Sequence, residues 1–282
     1  MTDNTPPLAA VIGWPIGHSM SPIIHTHWLN TYGIKGHYIP IGLRPENFEA
    51  GIRSLPKLGF KGANITIPYK ETILGMAKSV SDRAALIGAA NTIVFREDGG
   101  FYADNTDGYG FVQNLRQRAP DWSANSGPAV VLGAGGAARA IVSALLEFGA
   151  PEIRIGNRTR HRADIIKDQF GARVSVFDLA QTREALHGVA TIVNTTSLGM
   201  AGQPPLNIRL EFAPRTALAA DIVYNPLRTE FLAQAEEQGM RTVDGLGMLL
   251  HQAVPGFESW FDHRPVVDDH LRQLVINAMG MG

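Results

Sequence analysis

The second half of the chain alternates short apolar runs with segments whose apolar residues recur at helical spacing. From residue 129 onward this alternation predicts strands and helices in turn. The strands are expected at 129–132, 153–157, 174–177, 189–194 and 217–222, and the helices at 136–148, 160–170, near 181–187 and at 229–238. Strands that are almost wholly apolar and alternate with helices are typical of a parallel sheet covered on both faces. This half is therefore predicted to be a doubly wound α/β domain.

The first half mixes strands and helices with loops rich in glycine and proline. The pattern predicts a buried strand at 9–13, a helix through Tyr32, a strand near 37–41, a helix near 45–54, a strand stopped by Pro68 and a hairpin of residues 89–95 and 101–104. A helix then reaches about Arg118, and residues 119–128, rich in Pro, Ser, Asn and Gly, separate it from the second half. A last helix is expected from about Val266 to Met279.

A glycine-rich turn follows the strand at 129–132. The residues 133–138 read Gly-x-Gly-x-x-Ala and lead into a helical pattern. Gly133 permits the tight bend, Gly135 lets the backbone approach a pyrophosphate, and Ala138 allows close packing of helix on strand. A sharp structural turn without a ligand is the alternative for such a loop taken alone.

The end of the next strand bears on the choice of dinucleotide. An NAD-specific site would place Asp or Glu there, whereas residues 157–162 read Asn-Arg-Thr-Arg-His-Arg. Three arginines at the start of a helix oppose its dipole, and a bound 2'-phosphate would compensate them. Arg158 and Arg162 are the candidates for its charge-assisted hydrogen bonds. An ordinary solvated arginine cluster is the alternative, but the pattern favours NADP over NAD.

Neutral hydrogen-bonding side chains occur in pairs in the first half. Ser19 and Ser21 lie two residues apart in a loop, so both hydroxyls can face one carboxylate, although Ser21 before Pro22 also suits the cap of a helix. Strand alternation puts Asn64 and Thr66 on one face and Ile65 with Ile67 on the other. Both pairs are candidates for a small polar ligand.

Two charged residues are candidates for proton transfer. Lys70 follows Pro68 at the expected start of a helix, where a cation gains nothing from the dipole, so it is either solvated or held for chemistry. Asp107 begins the helix that reaches Arg118, either as a helix-terminal residue or as the acid that partners Lys70.

Composition excludes several classes of function. The 282 residues, 45% hydrophobic and 18% charged, fit one large or two medium globular domains. A net charge of -1 gives no reason to expect nucleic acid or an anionic membrane as partner. The absence of cysteine excludes disulfides and thiol nucleophiles and is compatible with the cytoplasm. The sequence contains no His-x-x-x-His pair that would suggest a metal site. Residues Met1–Leu8 lack the basic and long apolar segments of a secretory signal, and no window approaches a membrane span.

Seven ordered motifs together resemble the shikimate dehydrogenase family over nearly the whole chain. In the first half they are Gly-x-Pro-Ile-x-His-Ser-x-Ser-Pro at 13–22, Gly-Ala-Asn-Ile-Thr-Ile-Pro-Tyr-Lys at 62–70, Gly-Ala-x-Asn-Thr at 88–92 and Asp-Asn-Thr-Asp-Gly at 104–108. In the second half they are Gly-Ala-Gly-Gly-Ala-Ala-Arg at 133–139, Asn-Arg-Thr at 157–159 and Asp-Gly-Leu-Gly-Met-Leu at 244–249, with Gln252. Such an ordered set is far more specific than the glycine loop.

The resemblance implies an α/β protein of two domains with the active site in the cleft between them. A substrate-binding domain of residues 1–106 would be completed by C-terminal helices at 245–282, and residues 107–244 would form a Rossmann NAD(P)-binding domain. The implied reaction is the reversible NADP-dependent oxidation of shikimate to 3-dehydroshikimate in the cytoplasmic pathway to chorismate and the aromatic amino acids. The expected state is a monomer or homodimer that needs no metal, no nucleic acid and no membrane.

The resemblance also assigns residues. Lys70 and Asp107 would form the catalytic pair, while Ser19, Ser21 and Tyr224 hold the substrate carboxylate and Asn64, Thr66, Asn91 and Gln252 hold ring hydroxyls. The implied cofactor residues are Gly133, Ala134, Gly135, Gly136, Ala137, Asn157, Arg158, Thr159, Arg162, Thr195, Ile222, Gly245 and Met248.

One departure from the family pattern leaves alternatives open. Where many members have Lys between the two serines, this chain has Met20, and the loss of that charge near the carboxylate points to quinate or aminoshikimate as alternative substrates, with NAD or NADP. A non-catalytic sensor of quinate or shikimate on the same fold is a different class of function, disfavoured because Lys70 and Asp107 are both present. A folate-linked dehydrogenase of similar architecture is disfavoured by the paired serines and by Asp-Asn-Thr-Asp-Gly.

Overall fold

The computed structural model describes residues 5–281. Residues 1–4, which belong to the Met1–Leu8 segment considered above, and residue 282 lie outside the described residues. The chain divides into two compact units. One consists of the chain up to Thr106 together with the chain from Gln252 onward, and the other is Asp107–His251.

The first unit is built on a mixed sheet of six strands. They are β1 (Leu8–Gly13), β2 (His37–Gly42), β3 (Phe60–Ile65), β4 (Ser79–Val80), β5 (Thr92–Phe95) and β6 (Phe101–Asp104), in the order β2-β1-β3-β5-β6-β4. Strand β1 pairs in parallel with β2 and β3, while β5 pairs antiparallel with β3 and with β6. The predicted hairpin is thus β5 and β6, with its turn at Asp98-Gly99-Gly100.

Three helices of the first unit lie between these strands in sequence. They are α1 (Ser21–Thr31), α2 (Phe48–Ser54) and α3 (Asp82–Ile87). One core forms around alternate residues of the central strands, among them Ile12, Ala63 and Ile93, with Phe48 of α2 and Ala84 of α3 packed against them. The parallel strands β1, β2 and β3 all end at one edge of the sheet, where the loops at 14–20 and 66–70 begin.

The second unit is a doubly wound parallel sheet, as the alternation of strands and helices predicts. Its elements are α4 (Asp107–Arg118), β7 (Ala129–Leu132), α5 (Gly136–Glu147), β8 (Ile153–Gly156), α6 (Arg160–Phe170), β9 (Val174–Phe177), α7 (Thr182–Leu186), β10 (Thr191–Asn194), β11 (Leu218–Asp221), α8 (Glu230–Glu237), β12 (Arg241–Val243) and α9 (Leu246–His251). The order is β12-β11-β10-β7-β8-β9, and every pair is parallel.

Both faces of this sheet are covered, which explains the unbroken apolar run of β7. Val131 packs in the core that contains Ile141 of α5, whereas Val130 packs in the opposite core with Phe231 of α8. Neither valine side chain is accessible to solvent. Strand β12 is the one strand of this sheet that the apolar pattern did not predict, because its three residues include exposed Arg241 and half-buried Thr242.

The chain returns to the first unit at Gln252, later than the expected residue 245. Helix α9 stays with the second unit because it packs closely on α4. Two helices then join the first unit, α10 (Val254–Phe261) and α11 (Asp269–Ala278). Helix α11 begins three residues after the expected Val266 because the Asp268 side chain caps it, accepting a hydrogen bond of 2.8 Å from Leu271 N.

No helix within residues 5–281 is long and apolar enough to cross a membrane.

Candidate active site

The strand order of the second unit reverses at one point of the sheet. Along the sheet β7 is followed on one side by β8 and β9 and on the other by β10, β11 and β12, so the direction of winding reverses between β7 and β10. Open α/β sheets bind ligands at this reversal, outside the carboxyl ends of the strands. The predicted cofactor residues lie at this edge or just beyond it: Gly133–Ala137 after β7, Asn157–Thr159 and Arg162 after β8, Thr195 after β10, Ile222 after β11, and Gly245 and Met248 at the start of α9.

The glycine loop has the geometry of an anion-binding turn. Gly133 adopts a φ of +112°, and a Cβ on it would lie 2.6 Å from Thr195 Oγ1. Gly135 and Gly136 have no heavy atom within 4 Å of a Cβ position, so the space beside the loop is open. Helix α5 begins at Gly136 without a side-chain cap, which leaves its first amide groups available to an anion.

Thr195 closes this loop from the neighbouring strand. Its backbone nitrogen and its hydroxyl both donate to Leu132 O, over 2.8 Å and 2.7 Å respectively. The hydroxyl therefore ties the end of β10 to the end of β7, next to the glycine turn. This contact explains why Gly133 leaves no room for a side chain.

A buried carboxylate holds the loops after β10 and β11. Asp221 is 2% exposed and accepts hydrogen bonds from Asn194 Nδ2 at 2.9 Å, Val223 N at 2.9 Å and Thr229 Oγ1 at 2.7 Å. Burial raises the pKa of Asp221 above its usual value, and these three hydrogen bonds only partly oppose the shift. Ile222 and Tyr224 of this loop are among the residues that the resemblance assigns, but no pattern in the sequence predicted this role for Asp221.

The Asp-Gly-Leu-Gly motif is explained by close approaches within the second unit. A Cβ on Gly245 would lie 2.2 Å from Ile222 O, and one on Gly247 would lie 1.8 Å from Asn114 Oδ1. The Asn114 side chain also donates to Asp244 O over 2.7 Å. The start of α9 is thereby clamped between α4 and the loop after β11, which sets the position of Met248.

The arginines after β8 differ in their contacts. Arg160 forms ion pairs with Asp178 at 2.8 Å and with Asp164 at 3.9 Å. Arg158 and Arg162 are exposed, and neither forms an ion pair or a side-chain hydrogen bond with any residue that the structure describes. The two arginines predicted to hold a 2'-phosphate are therefore the two whose guanidinium groups are not already engaged.

The paired serines lie at the carboxyl edge of the first unit. Ser21 is the first residue of α1, and the N-cap is Met20, which makes no side-chain capping bond. The alternative reading of Ser21 as the cap is therefore wrong, because the helix starts one residue earlier. Instead, Ser21 N donates to Ser19 Oγ over 3.3 Å, a contact that brings the two serines together.

Buried amides and hydroxyls form a continuous network in the same unit. Asn64 Nδ2 donates to Asn91 O and to Thr92 Oγ1, each over 3.2 Å. Asn91 Nδ2 donates to Gln252 Oε1 over 3.1 Å, and Asn91 Oδ1 accepts from Thr106 N over 2.9 Å. Three of the predicted ring-hydroxyl residues, Asn64, Asn91 and Gln252, thus belong to one hydrogen-bonded cluster.

The expected alternation beyond Asn64 is wrong for one residue. Strand β3 ends at Ile65, so Ile67 does not share the buried face of Ile65 and is 74% exposed. Thr66 N still donates to Ile12 O over 2.9 Å, which keeps Thr66 beside β1.

Lys70 is half-buried and precedes a short 3₁₀ helix at Thr72–Met76 instead of starting an α-helix. Its backbone oxygen accepts from Ala90 N over 2.7 Å.

A second buried carboxylate, missed by sequence analysis, precedes the Asn-Thr-Asp segment. Asp104 accepts 2.8 Å and 2.6 Å hydrogen bonds from Arg83 Nε and Ser81 Oγ, and a further bond from the same guanidinium. Burial raises the pKa of Asp104, but Arg83, Ser81 and the backbone of Asn105 outweigh it, and the net pKa is lowered. Asp104 thus stays ionised and holds the chain leading to Thr106.

Asp107 and Tyr224 both belong to the second unit. Asp107 is the half-buried first residue of α4, in accordance with the expected helix start. Tyr224 follows β11 within the loop that Asp221 holds, and burial raises the pKa of its hydroxyl. The pairing of Lys70 with Asp107 stays a prediction.

Comparisons with known proteins cover nearly the whole chain. The family model described as the shikimate dehydrogenase substrate binding domain matches residues 11–93, and that described as shikimate / quinate 5-dehydrogenase matches residues 115–200. A protein of Paracoccus denitrificans named shikimate dehydrogenase (NADP(+)) is 57% identical over 98% of this chain and 100% of its own length. One of Ruegeria with the same name is 54% identical, again over 98% and 100%.

Solved structures match equally broadly. Shikimate 5-dehydrogenase from Thermus thermophilus, solved with NADP(H) and shikimate, is 34% identical with a TM-score of 0.85 over 96% of this chain and 99% of that one. Quinate dehydrogenase from Corynebacterium glutamicum, solved with NAD, is 28% identical with a TM-score of 0.86 over 96% and 98%. The chain belongs to the shikimate dehydrogenase family.

Proposed function

We propose that the chain catalyses the reversible NADP-dependent oxidation of shikimate to 3-dehydroshikimate. The observation that carries this proposal is the match of 57% over 98% of the chain to a relative named for that activity. Arg158 and Arg162, which form no ion pair with a described residue, support NADP in particular because they can bind its 2'-phosphate. The open glycine loop fits the pyrophosphate of a dinucleotide.

Lys70 is the proposed general acid/base. Oxidation of a secondary alcohol needs an acceptor for the hydroxyl proton while hydride leaves the same carbon, and a lysine within hydrogen-bonding reach serves this purpose. Asp107 orients Lys70 and hydrogen-bonds the reacting hydroxyl. NADP supplies the hydride acceptor when it is bound.

The remaining predicted residues bind and orient the substrate and the dinucleotide. Ser19, Ser21 and Tyr224 hold the carboxylate, while Asn64, Thr66, Asn91 and Gln252 hold the other ring hydroxyls. The buried network around Asn91 supports this assignment because preformed neutral donors and acceptors recognise hydroxyls without carrying net charge. The glycine loop with Thr195, Ile222, Gly245 and Met248 holds the dinucleotide, and Asn157, Arg158, Thr159 and Arg162 surround its 2'-phosphate.

The proposed activity is tested by initial rates with shikimate, quinate and aminoshikimate, each paired with NADP and with NAD. The highest kcat/KM is expected for shikimate with NADP. A higher value for quinate with NAD would favour the second candidate, a quinate dehydrogenase, for which Met20 in place of the usual lysine is the supporting observation. Binding of shikimate without any turnover would favour a sensor.

Replacing Lys70 tests the proposed acid/base. Lys70→Ala is expected to lower kcat by about 10²- to 10⁴-fold with little effect on the Kd for NADP. Lys78→Ala is the matched control, because Lys78 makes an exposed ion pair with Asp98 in the hairpin turn. Wild-type turnover in Lys70→Ala would exclude the assignment.

The arginines provide a matched test of cofactor choice. Arg158→Ala and Arg162→Ala are each expected to raise the KM for NADP about 10-fold and to leave the KM for NAD nearly unchanged, since NAD has no 2'-phosphate. Arg160→Ala is the control, because Arg160 already pairs with Asp178. Equal losses with both dinucleotides would remove the 2'-phosphate assignment.

The cytoplasm is the proposed location, since the 282 residues contain no cysteine to suggest an oxidising compartment. The proposed assembly is a monomer or homodimer, which sedimentation velocity at micromolar concentration distinguishes.

A further inference from the structure

Tyr38 links two of the proposed substrate residues. Its hydroxyl donates to Asn64 Oδ1 over 2.6 Å, and the Ser21 side chain interacts with the same hydroxyl. Tyr38 lies on β2 and is 5% exposed, so these contacts form away from bulk water. One hydroxyl therefore connects a proposed carboxylate residue with a proposed ring-hydroxyl residue.

The Tyr38 ring is itself held on one face. It stacks on His25 with ring centroids 3.9 Å apart and an interplanar angle of 4°. His25 is fully buried in α1, and burial lowers its pKa to about 3, opposed in part by the Asn64 side chain, so the ring is neutral at physiological pH. Trp260, whose ring centroid lies 6.0 Å from that of Tyr38, is anchored by a 3.0 Å hydrogen bond to Ile93 O.

The other end of the Asn64 amide is held as well. Both donors of Nδ2 are used, by Asn91 O and by Thr92 Oγ1. A flipped amide would face Asn91 O with its own oxygen, which places acceptor against acceptor. With Tyr38 on the oxygen and Thr92 on the nitrogen, Asn64 has one orientation.

We propose that Tyr38, stacked on His25, is a positioning residue for substrate binding: its hydroxyl holds Asn64 and Ser21 in the orientations that receive the polar groups of the substrate. Tyr38 acts through these two residues and not on the reacting carbon. Its loss weakens substrate binding more than it slows the chemical step. This inference rests on the proposed function, since shikimate is the substrate used to test it.

The test is Tyr38→Phe, which removes one oxygen and keeps the stacked ring. The KM for shikimate is expected to rise about 5- to 10-fold, with kcat changed less than about 2-fold and the KM for NADP unchanged, because the loss of one buried hydrogen bond corresponds to roughly tenfold in affinity. Tyr32→Phe is the matched control: it also removes one hydroxyl from the first unit, one that accepts from Val266 N over 3.0 Å.

A purely structural role for Tyr38 would lower the Tm and leave the KM for shikimate at the wild-type value, and that result would overturn the proposal. If Tyr38→Phe does not fold, Thr92→Val replaces it, because this near-isosteric change removes the oxygen that accepts from Asn64 Nδ2. Thr92 Oγ1 also donates to Asn91 Oδ1 over 3.0 Å, so Thr106→Val, which removes another hydroxyl donor to the same oxygen and leaves Asn64 alone, is its control. A larger rise in the KM for shikimate in Thr92→Val than in Thr106→Val supports the proposal, and an equal KM in the two variants contradicts it. Failure of the proposed function is distinct, since the wild-type protein would then not oxidise shikimate at all.

Discussion

Each unit has a buried carboxylate at the end of a strand, and the two carboxylates make similar contacts. Asp104 ends β6 and accepts from Ser81 Oγ over 2.6 Å, while Asp221 ends β11 and accepts from Thr229 Oγ1 over 2.7 Å. Both hydroxyls also cap a helix: Ser81 Oγ accepts from Ala84 N of α3, and Thr229 Oγ1 from Leu232 N of α8. Each aspartate therefore joins a strand end to a helix start.

The two aspartates differ in charge compensation. Arg83 pairs with Asp104 through two guanidinium nitrogens, whereas no cation among the described residues pairs with Asp221. Both carboxyls are desolvated, yet the pKa of Asp104 is lowered and that of Asp221 is raised. At Asp221, where all donors are neutral, desolvation has the larger effect and the pKa rises. At Asp104 the Arg83 cation is added, and the pKa falls.

The difference has consequences for stability against pH. The lowered pKa means that Asp104 contributes stability above its unfolded value near 3.8, which is lost as the pH falls through the folded value. The raised pKa of Asp221 has the opposite sign: its contribution is present below 3.8 and is lost as the pH rises through the folded value. Variants at the two sites are therefore expected to respond to pH in opposite directions.

The largest effect is expected from Arg83→Met, which would leave Asp104 buried without a cation, as Asp221 is. The free energy of unfolding at pH 7 is expected to fall by about 2 kcal/mol, less than for a fully buried pair because the Arg83 side chain is 39% exposed. The loss should shrink at pH 4, because Asp104 of the variant, which lacks the Arg83 cation that lowers its pKa, takes up a proton there. Urea denaturation at both pH values measures it.

Arg53→Met is the control for this variant, since Arg53 pairs with Glu49 at the surface of α2 over 2.8 Å. Its effect is expected to stay within about 0.5 kcal/mol at either pH. A loss in Arg83→Met that is the same at pH 4 and pH 7 would show that packing and not charge decides the state of Asp104.

A smaller effect is expected from Asp221→Asn, at about 1 to 2 kcal/mol. If the new amide nitrogen faces Asn194 Nδ2 and Val223 N, donor is set against donor. If it faces Thr229, the hydroxyl of Thr229 has to accept where it now donates. The difference in the free energy of unfolding between wild type and variant should become smaller as the pH rises from 4 to 7, because only the wild type loses stability as Asp221 ionises. Widening with pH in the same urea series would contradict the sign assigned to Asp221.

The smallest effects are expected from the two capping hydroxyls. Ser81→Ala and Thr229→Val each remove a helix cap, which costs about 1 kcal/mol. Thr229→Val should cost more than Ser81→Ala at pH 7, because Asp104 keeps Arg83 whereas Asp221 is left with Val223 N and Asn194 alone. Thermal unfolding of the two variants in parallel compares these costs. Equal shifts in Tm would mean that Arg83 does not reduce the cost of losing the Ser81 hydroxyl.

The pattern of apolar and polar residues predicted those elements that depend on residues close together in the sequence. The strands of the second unit were predicted because residues such as Val130 and Val131 are both apolar, as a sheet covered on both faces requires. The tight turn at Gly133 and the helix at Arg160–Phe170 were predicted because backbone freedom and helical periodicity act within a few residues. The role of the arginines after β8 stays a prediction. Ser21 as a cap and Ile67 as a strand residue were wrong, since each depended on a boundary that shifted by one or two positions.

Hydrophobic periodicity and the glycine spacing were enough to predict the doubly wound sheet and the tight turn after β7. The pairing of Asp104 with Arg83, the contacts of Asp221 with Asn194 and Thr229, and the contact of Tyr38 with Asn64 are visible only in the folded chain. These residues are far apart in sequence: the Tyr38 and Asn64 contact spans 26 residues, and the Asn194 and Asp221 contact spans 27. No local periodicity records such a pairing, because it depends on which strands become neighbours in the sheet.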